Sequence, residues 1–256
     1  MSEYPYDKKT RGNSGTAVFF SAAGSGAIAA SESAGKDQAP DARADGASTP
    51  KGEGRKDGAS GCPCFTPGAG IATPRGVKPA ETLRAGDKVI TRDNGIQEIR
   101  WVGSKTLTGR DLTAAQYLKP VLIMKGALGG GLPERDMMVS PNHRVLCASD
   151  RALVNFRERE VLAAAKHLVN HRGIQVVDTL STTYIHFLFD RHEVILSNGI
   201  WTESFQPEEA VLDGMGNAQR TEIYDLFPRL RTAPGETVFP PARRVLSEGE
   251  SQRLTD

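Results

Sequence analysis

Three short stretches of this 256-residue chain carry side chains able to do covalent chemistry. The first, Cys62-Pro63-Cys64-Phe65-Thr66-Pro67-Gly68, places a thiol directly behind a peptide bond. The second and third, Ser140-Pro141-Asn142-His143 and Asp190-Arg191-His192, supply a hydroxyl, two imidazoles and a carboxylate. The Cys64 sulfur has one substrate within its own reach, because it meets the carbonyl of Pro63 by closing a small ring. A peptide bond resists attack at neutral pH. Moving its acyl group onto sulfur needs a nucleophile held against the carbonyl and a proton donor for the departing nitrogen. A free thiol ionises near pH 8.5, so Cys64 needs a base or a favourable field to become thiolate. An imidazole such as that of His192, with a reference value near 6.5, can lend or take that proton.

Each of these residues also has a quieter reading. Cys64 can be a buried apolar residue, since free cysteine packs well. Cys62-Pro63-Cys64 can be a redox or metal pair completed by His143 or His192, although zinc sites usually space their cysteines two to four residues apart. Ser140 before Pro141 can simply shape a turn, and Asp190 can form an ion pair with Arg191. His167 and His171 read as surface or capping residues. His186 alternates with Ile185 and Phe187 in a strand and is expected to point outward. Cys147 reads as filler in an apolar strand, and Trp101 and Trp201 as core.

The elements that must position these groups are mostly strands. From Cys64 onward, short runs rich in β-branched and aromatic residues are punctuated by turn pairs. Cys64-Phe65-Thr66, 69–73, 88–91, 120–124, 174–178, 182–189 and 193–196 are strand candidates. Asp93-Asn94-Gly95 and Ser197-Asn198-Gly199 mark tight hairpins, because their residues tolerate positive φ. The glycine-rich stretch 126–133 is a loop. One helical turn is expected near 78–83, the best helix candidate is 160–169, and a helix or packed arm is possible near 219–230. Many short strands with one or two short helices predict a compact all-β domain over 62–206.

Residues 1–61 are rich in Gly, Ala, Ser, Asp and Lys, with no aromatic residue after Phe20. Such a stretch buries too little apolar surface to offset the entropy of ordering it, so a disordered leader is expected. Lys8, Lys9 and Arg11 ahead of 16–30, with Ala27-Ile28-Ala29, faintly resemble a secretion signal, but Ser21, Gly24, Ser25 and Gly26 interrupt its apolar run. Residues 207–256 are expected to form a C-terminal arm that is partly disordered.

With 38% hydrophobic residues unevenly spread, the chain is expected to hold one core of moderate size. Its 32 basic and 31 acidic residues nearly cancel, so no overall field gathers nucleic acid or an anionic membrane. No stretch approaches the roughly 18–20 apolar residues of a membrane span. Three cysteines are too few for a disulfide scaffold, and the odd count leaves a thiol free in a monomer, the expected state. Neither cytoplasm nor export is indicated.

In their order and separation the motifs resemble the Hint domain, the self-processing module shared by inteins, hedgehog C-terminal regions and bacterial intein-like proteins. The resemblance covers about residues 62–206 and is nearest to stand-alone bacterial Hint proteins. Cys64-Phe65-Thr66-Pro67-Gly68 with Ile71 stands where the family has its nucleophile and opening strand. Ser140-Pro141-Asn142-His143 matches its Thr-x-x-His motif, with Ser140 in place of threonine. Tyr184, Asp190, His192 and Ser197-Asn198-Gly199 match the block near its end.

The resemblance implies autocatalytic processing without a cofactor or metal. Cys64 takes the acyl group, and His143 protonates or polarises the scissile amide. Ser140 holds the strained carbonyl or orients His143, while Asp190 steers Cys64 or the two histidines. The chain's own N-terminal segment is then the substrate, and water or a small thiol or amine releases it. An intein closes with His-Asn before Cys, Ser or Thr, whereas this chain has Glu203 and Ser204 there, which argues against full splicing. Asn198-Gly199 is foremost a turn. A domain that has lost activity and serves as a binding or secretion-linked module is the other reading.

Overall fold

The computed structural model describes residues 62–170 and 172–255. The expected leader over 1–61, its signal-like stretch and His171 lie outside the described residues.

Strands form where the apolar runs fall and stop at the turn residues between them. β1 (Gly70–Thr73) and β2 (Gly76–Pro79) make a hairpin, followed by a single 3-10 turn, Ala80–Thr82. β3 (Lys88–Ile90) and β4 (Ile96–Glu98) pair across Asp93-Asn94-Gly95, with Ile90 opposite Ile96. β5 (Trp101–Thr108) runs into α1 (Gly109–Ala114). There the Thr108 hydroxyl accepts the Asp111 N–H while the Asp111 carboxylate accepts the Thr108 N–H, a capping box that fixes where the helix starts.

β6 (Val121–Ile123) and β7 (Met137–Val139) flank the glycine-rich loop. β8 (Arg144–Ala148) and β9 (Glu160–Ala164) pair around α2 (Asp150–Phe156), which Ser149 caps. β10 (Ile174–Val176), β11 (Ser181–Leu188), β12 (Val194–Ser197) and β13 (Ile200–Glu203) complete the predicted domain. Asn198 (φ 45°) and Gly199 (φ 81°) join the last two strands in the left-handed conformation that a two-residue hairpin turn requires. After Gln206 come α3 (Glu209–Asp213), α4 (Asn217–Leu226), α5 (Gly235–Val238), β14 (Arg244–Val245) and α6 (Glu248–Thr255).

Among the described residues these strands form a seven-stranded sheet in the order β14-β9-β8-β13-β12-β1-β2, a three-stranded sheet β10-β6-β7, and the pairs β11-β5 and β3-β4. The protein is all-β, with two short helices inside 62–206. Its main core joins Phe65, Ile71, Leu83, Val89, Ile99, Ile185, Phe187 and Ile195, so the segment after Cys64 and strand β11 share one interior.

Three expectations are corrected. The stretch 160–169 is not a helix but β9 followed by a 3-10 turn, Ala165–Leu168. Its alanines favour helix, yet Val161, Leu162, Ala163 and Ala164 are all buried between β8 and β14, and that pairing overrides local propensity. Residues 207–255, expected as a partly disordered arm, are folded onto the domain. Val211, Leu212, Ile223, Leu230 and Phe239 close over Trp101, Leu188 and Phe205 in a second core. The third correction follows from the second. β11 is covered on both faces, so His186 is 6% exposed rather than outward-facing.

Candidate active site

Strand pairing places the thiol. The Phe65 N–H donates to the Ile185 carbonyl and the Phe65 carbonyl accepts the return bond from the Ile185 N–H, each at 2.9 Å, which lays residues 62–65 alongside β11. The Ser140 N–H donates to the Cys64 carbonyl at 3.0 Å. The Ser140 hydroxyl accepts the Cys64 N–H at 2.9 Å and donates to the Cys62 carbonyl at 2.7 Å. One serine thus holds both backbone groups of Cys64 and the residue two before it.

That register brings His186 against the same peptide. Its Nδ1 lies 3.3 Å from the Pro63 carbonyl oxygen and 3.2 Å from Cys62 Sγ, and its Nε2 lies 3.8 Å from Cys64 Sγ. The ring is stacked near Trp101 at 6.4 Å and tilted against Phe205 at 5.5 Å. Burial opposes ionisation of Cys64. Hydrogen bonds from Cys62, His186 and Ser140, with the positive charge of His186, outweigh it and bring the thiol down to about 6. Burial would keep His186 neutral, but the Cys64 sulfur and the Pro63 carbonyl push its pKa up. Cys62 is driven well the other way, by burial and by the adjacent Cys64. The pair therefore has one thiolate, on Cys64, and one thiol donor, on Cys62. Both line a cleft of about 110 Å³ walled by Leu107, Leu118, Tyr184 and Met215.

His143 sits behind this group. Its backbone N–H closes a turn onto the Ser140 carbonyl at 3.0 Å, and its buried ring meets Phe65 edge-on at 4.5 Å. Neither ring nitrogen has a hydrogen-bond partner among the described residues, and burial, against the pull of Glu203, lowers its pKa to about 4. His143 is therefore neutral at pH 7. His192 is held elsewhere: its Nδ1 accepts the Ala242 N–H at 3.1 Å, and its Nε2 is 3.3 Å from Glu203. Glu203 in turn accepts the Arg144 backbone N–H at 2.8 Å and pairs with its guanidinium at 3.0 Å. Asp190 is exposed, 3.4 Å from Arg100 rather than paired with Arg191.

The sequence matches the Hint domain model over residues 63–209. The chain belongs to the Hint domain family. No curated protein matches it. Among solved structures, a bacterial intein-like domain from Clostridium thermocellum is 15% identical and superposes with a TM-score of 0.37, covering 55% of this chain and 97% of that one. A DnaB intein from Synechocystis sp. PCC 6803 is 11% identical, with a TM-score of 0.37, 56% of this chain and 98% of that one.

Of the residues singled out in the sequence, this Hint domain gathers Cys64 and Ser140 at one peptide and puts His143 one side chain behind them. His192 joins the Glu203–Arg144 cluster, and Asp190 has no bond to any of these. His186 was missed because alternation was read as one wet face and one dry. The usable signal was Ile185, Phe187, Leu188 and Phe189, apolar on both alternating faces around His186, which is the pattern of a strand buried on both sides. Cys147, taken as filler, is half-buried in β8, where burial raises its pKa to about 11. Trp101 is core, while Trp201 is partly exposed beneath the Arg92 guanidinium.

Proposed function

We propose that this Hint domain cleaves its own chain before Cys64 by an N-to-S acyl shift. One observation carries the reading: a single imidazole, His186, stands between the Cys64 sulfur and the oxygen of the carbonyl that sulfur must attack. Protonated on both nitrogens, with the Cys64 proton already received at Nε2, His186 polarises the Pro63 carbonyl through its Nδ1–H. The sulfur adds to the Pro63 carbonyl carbon. The C–N bond then breaks as the Cys64 nitrogen gains a proton, leaving a thioester on the Cys64 side chain and a free amine at Cys64.

Ser140 holds the departing nitrogen throughout. His143, neutral and with unpartnered ring nitrogens, is assigned to stabilising that nitrogen as it leaves. His192 and Asp190 are assigned no direct contact with the reacting atoms. Water, or a small thiol or amine entering by the cleft, then takes the acyl group and releases residues 1–63. Splicing is not proposed, because Glu203 is committed to Arg144 where an intein needs its closing asparagine.

Purified full-length chain treated with dithiothreitol or hydroxylamine and weighed by mass spectrometry tests this. A new fragment beginning at Cys64 is expected, absent from Cys64→Ala and retained in Cys62→Ala. A chain that stays whole under all conditions overturns the reading and leaves a binding module.

A further inference from the structure

We propose that Lys105 is the chain's own acceptor for the acyl group on Cys64, so that residues 1–63 move onto its side chain through an isopeptide bond. That role rests on the cleavage reading above, because the lysine acts on the thioester that reading supplies.

Strand register puts the amine beside the thioester. β5 pairs with β11 so that Lys105 lies opposite Tyr184, Gly103 opposite His186 and Leu107 opposite Thr182. Residues directly opposite in an antiparallel pair share a face, and so do alternate residues of one strand. Lys105 therefore rises from the face that carries His186. The ring lies two strand residues along, about 7 Å, which a flexible four-carbon stem spans. Cys64 packs against this same face, in one cluster with Leu107 and Tyr184. Lys105 and Cys64 both line the cleft beside the scissile bond.

The ammonium is also uncommitted. It makes no hydrogen bond or ion pair among the described residues, whereas Lys119 is held by Asp178 and Lys78 by Asp87. Asp111, which feels its charge, is already bonded to Thr108 in the capping box. The Lys105 charge reaches His186 as well: it opposes protonation of that ring, more weakly than burial does and against the pull of the Cys64 sulfur. Next to the lysine, Gln219 of α4 donates to the Ser104 carbonyl at 3.1 Å, so the C-terminal segment closes over this end of the cleft.

Lys105 first gives one proton to solvent. Its neutral nitrogen adds to the Pro63 carbonyl carbon, the C–S bond breaks, and a second proton passes from that nitrogen to the departing sulfur. Cys64 regains its thiol and keeps the amine freed earlier, while Pro63 ends in an amide on Lys105. Holding amine and thioester in one cleft makes the transfer unimolecular, which favours it over dilute outside nucleophiles. Residues 1–63 are then relocated rather than lost, and the chain keeps its mass.

The test is peptide mapping of parent chain incubated without added thiol, using trypsin, which does not cut after an acylated lysine. A branched peptide is expected, residues 57–63 joined through Pro63 to Lys105 within residues 101–110. It should accompany a new N-terminal cysteine that cyanobenzothiazole labels, and be absent from Cys64→Ala and Lys105→Arg. Hydroxylamine should release several-fold more of the fragment beginning at Cys64 from Lys105→Arg than from the parent. Equal release from both, with no branched peptide in the parent, overturns the acceptor. So does the same acyl peptide spread evenly over other lysines. A Lys105→Arg chain from which hydroxylamine releases nothing defeats the cleavage reading, and the acceptor with it.

Discussion

At the scale of single residues, the proposed cleavage gives His186 and His143 the tasks that the sequence motif suggested for His143 and His192. His186 bridges sulfur and carbonyl, so His186→Gln should slow fragment release by about 10²-fold or more, read by mass spectrometry against time. In the parent, the rate should rise as pH passes upward through about 6, where Cys64 loses its proton. His143 carries a different signature. Burial holds it neutral in the folded state down to about pH 4, whereas the unfolded chain protonates it near 6.5. Between those values the unfolded state binds the extra proton, so stability falls as pH drops through that window and is fully restored above it. The effect amounts to about 3 kcal/mol by pH 4. Urea unfolding of Cys64→Ala chain should show that slope, and His143→Gln should flatten it.

At the scale of elements, the hairpins were legible because their turns are written in local chemistry: Gly95 and Asn198-Gly199 supply the backbone that goes left-handed. What the sequence concealed was pairing between distant segments. β9 reads as helix until β8 and β14 claim it, and β11 reads as half-exposed until its second face is covered. Cys64 and Ser140 were identifiable as motifs, but that a serine hydroxyl would take the Cys64 N–H depends on β7 ending beside residue 65. The Arg144–Glu203 pair joins β8 to the end of β13 with Glu203 fully buried, so removing one partner strands the other charge. Arg144→Met should destabilise by about 3–5 kcal/mol in denaturant unfolding. A cost below about 1 kcal/mol would contradict that reading.

At the scale of the whole molecule, the segment after Gln206 supplies one wall of the second core and, through Val211 and Met215, part of the cleft beside Cys64. Its composition, polar with scattered apolar positions, hid this, because Phe239, Leu230 and Ile223 are too far apart in sequence to show a period. Phe239 is 1% exposed and edge-on to Phe227. Phe239→Ala should therefore cost about 3–5 kcal/mol, measured by thermal or urea unfolding. A chain ending at 206 should expose Trp101 and Leu188 and aggregate, visible as red-shifted tryptophan emission.

The serine clasp on Cys64 bears on yield. An amine freed at Cys64 stays on the same residue as the sulfur that carries its former acyl group, and Ser140 keeps it turned toward that group, so the proposed thioester can collapse back to the original amide at any moment. Fragment accumulation is then a race between recapture and interception, and it should climb with the concentration of added thiol until every outward passage is trapped.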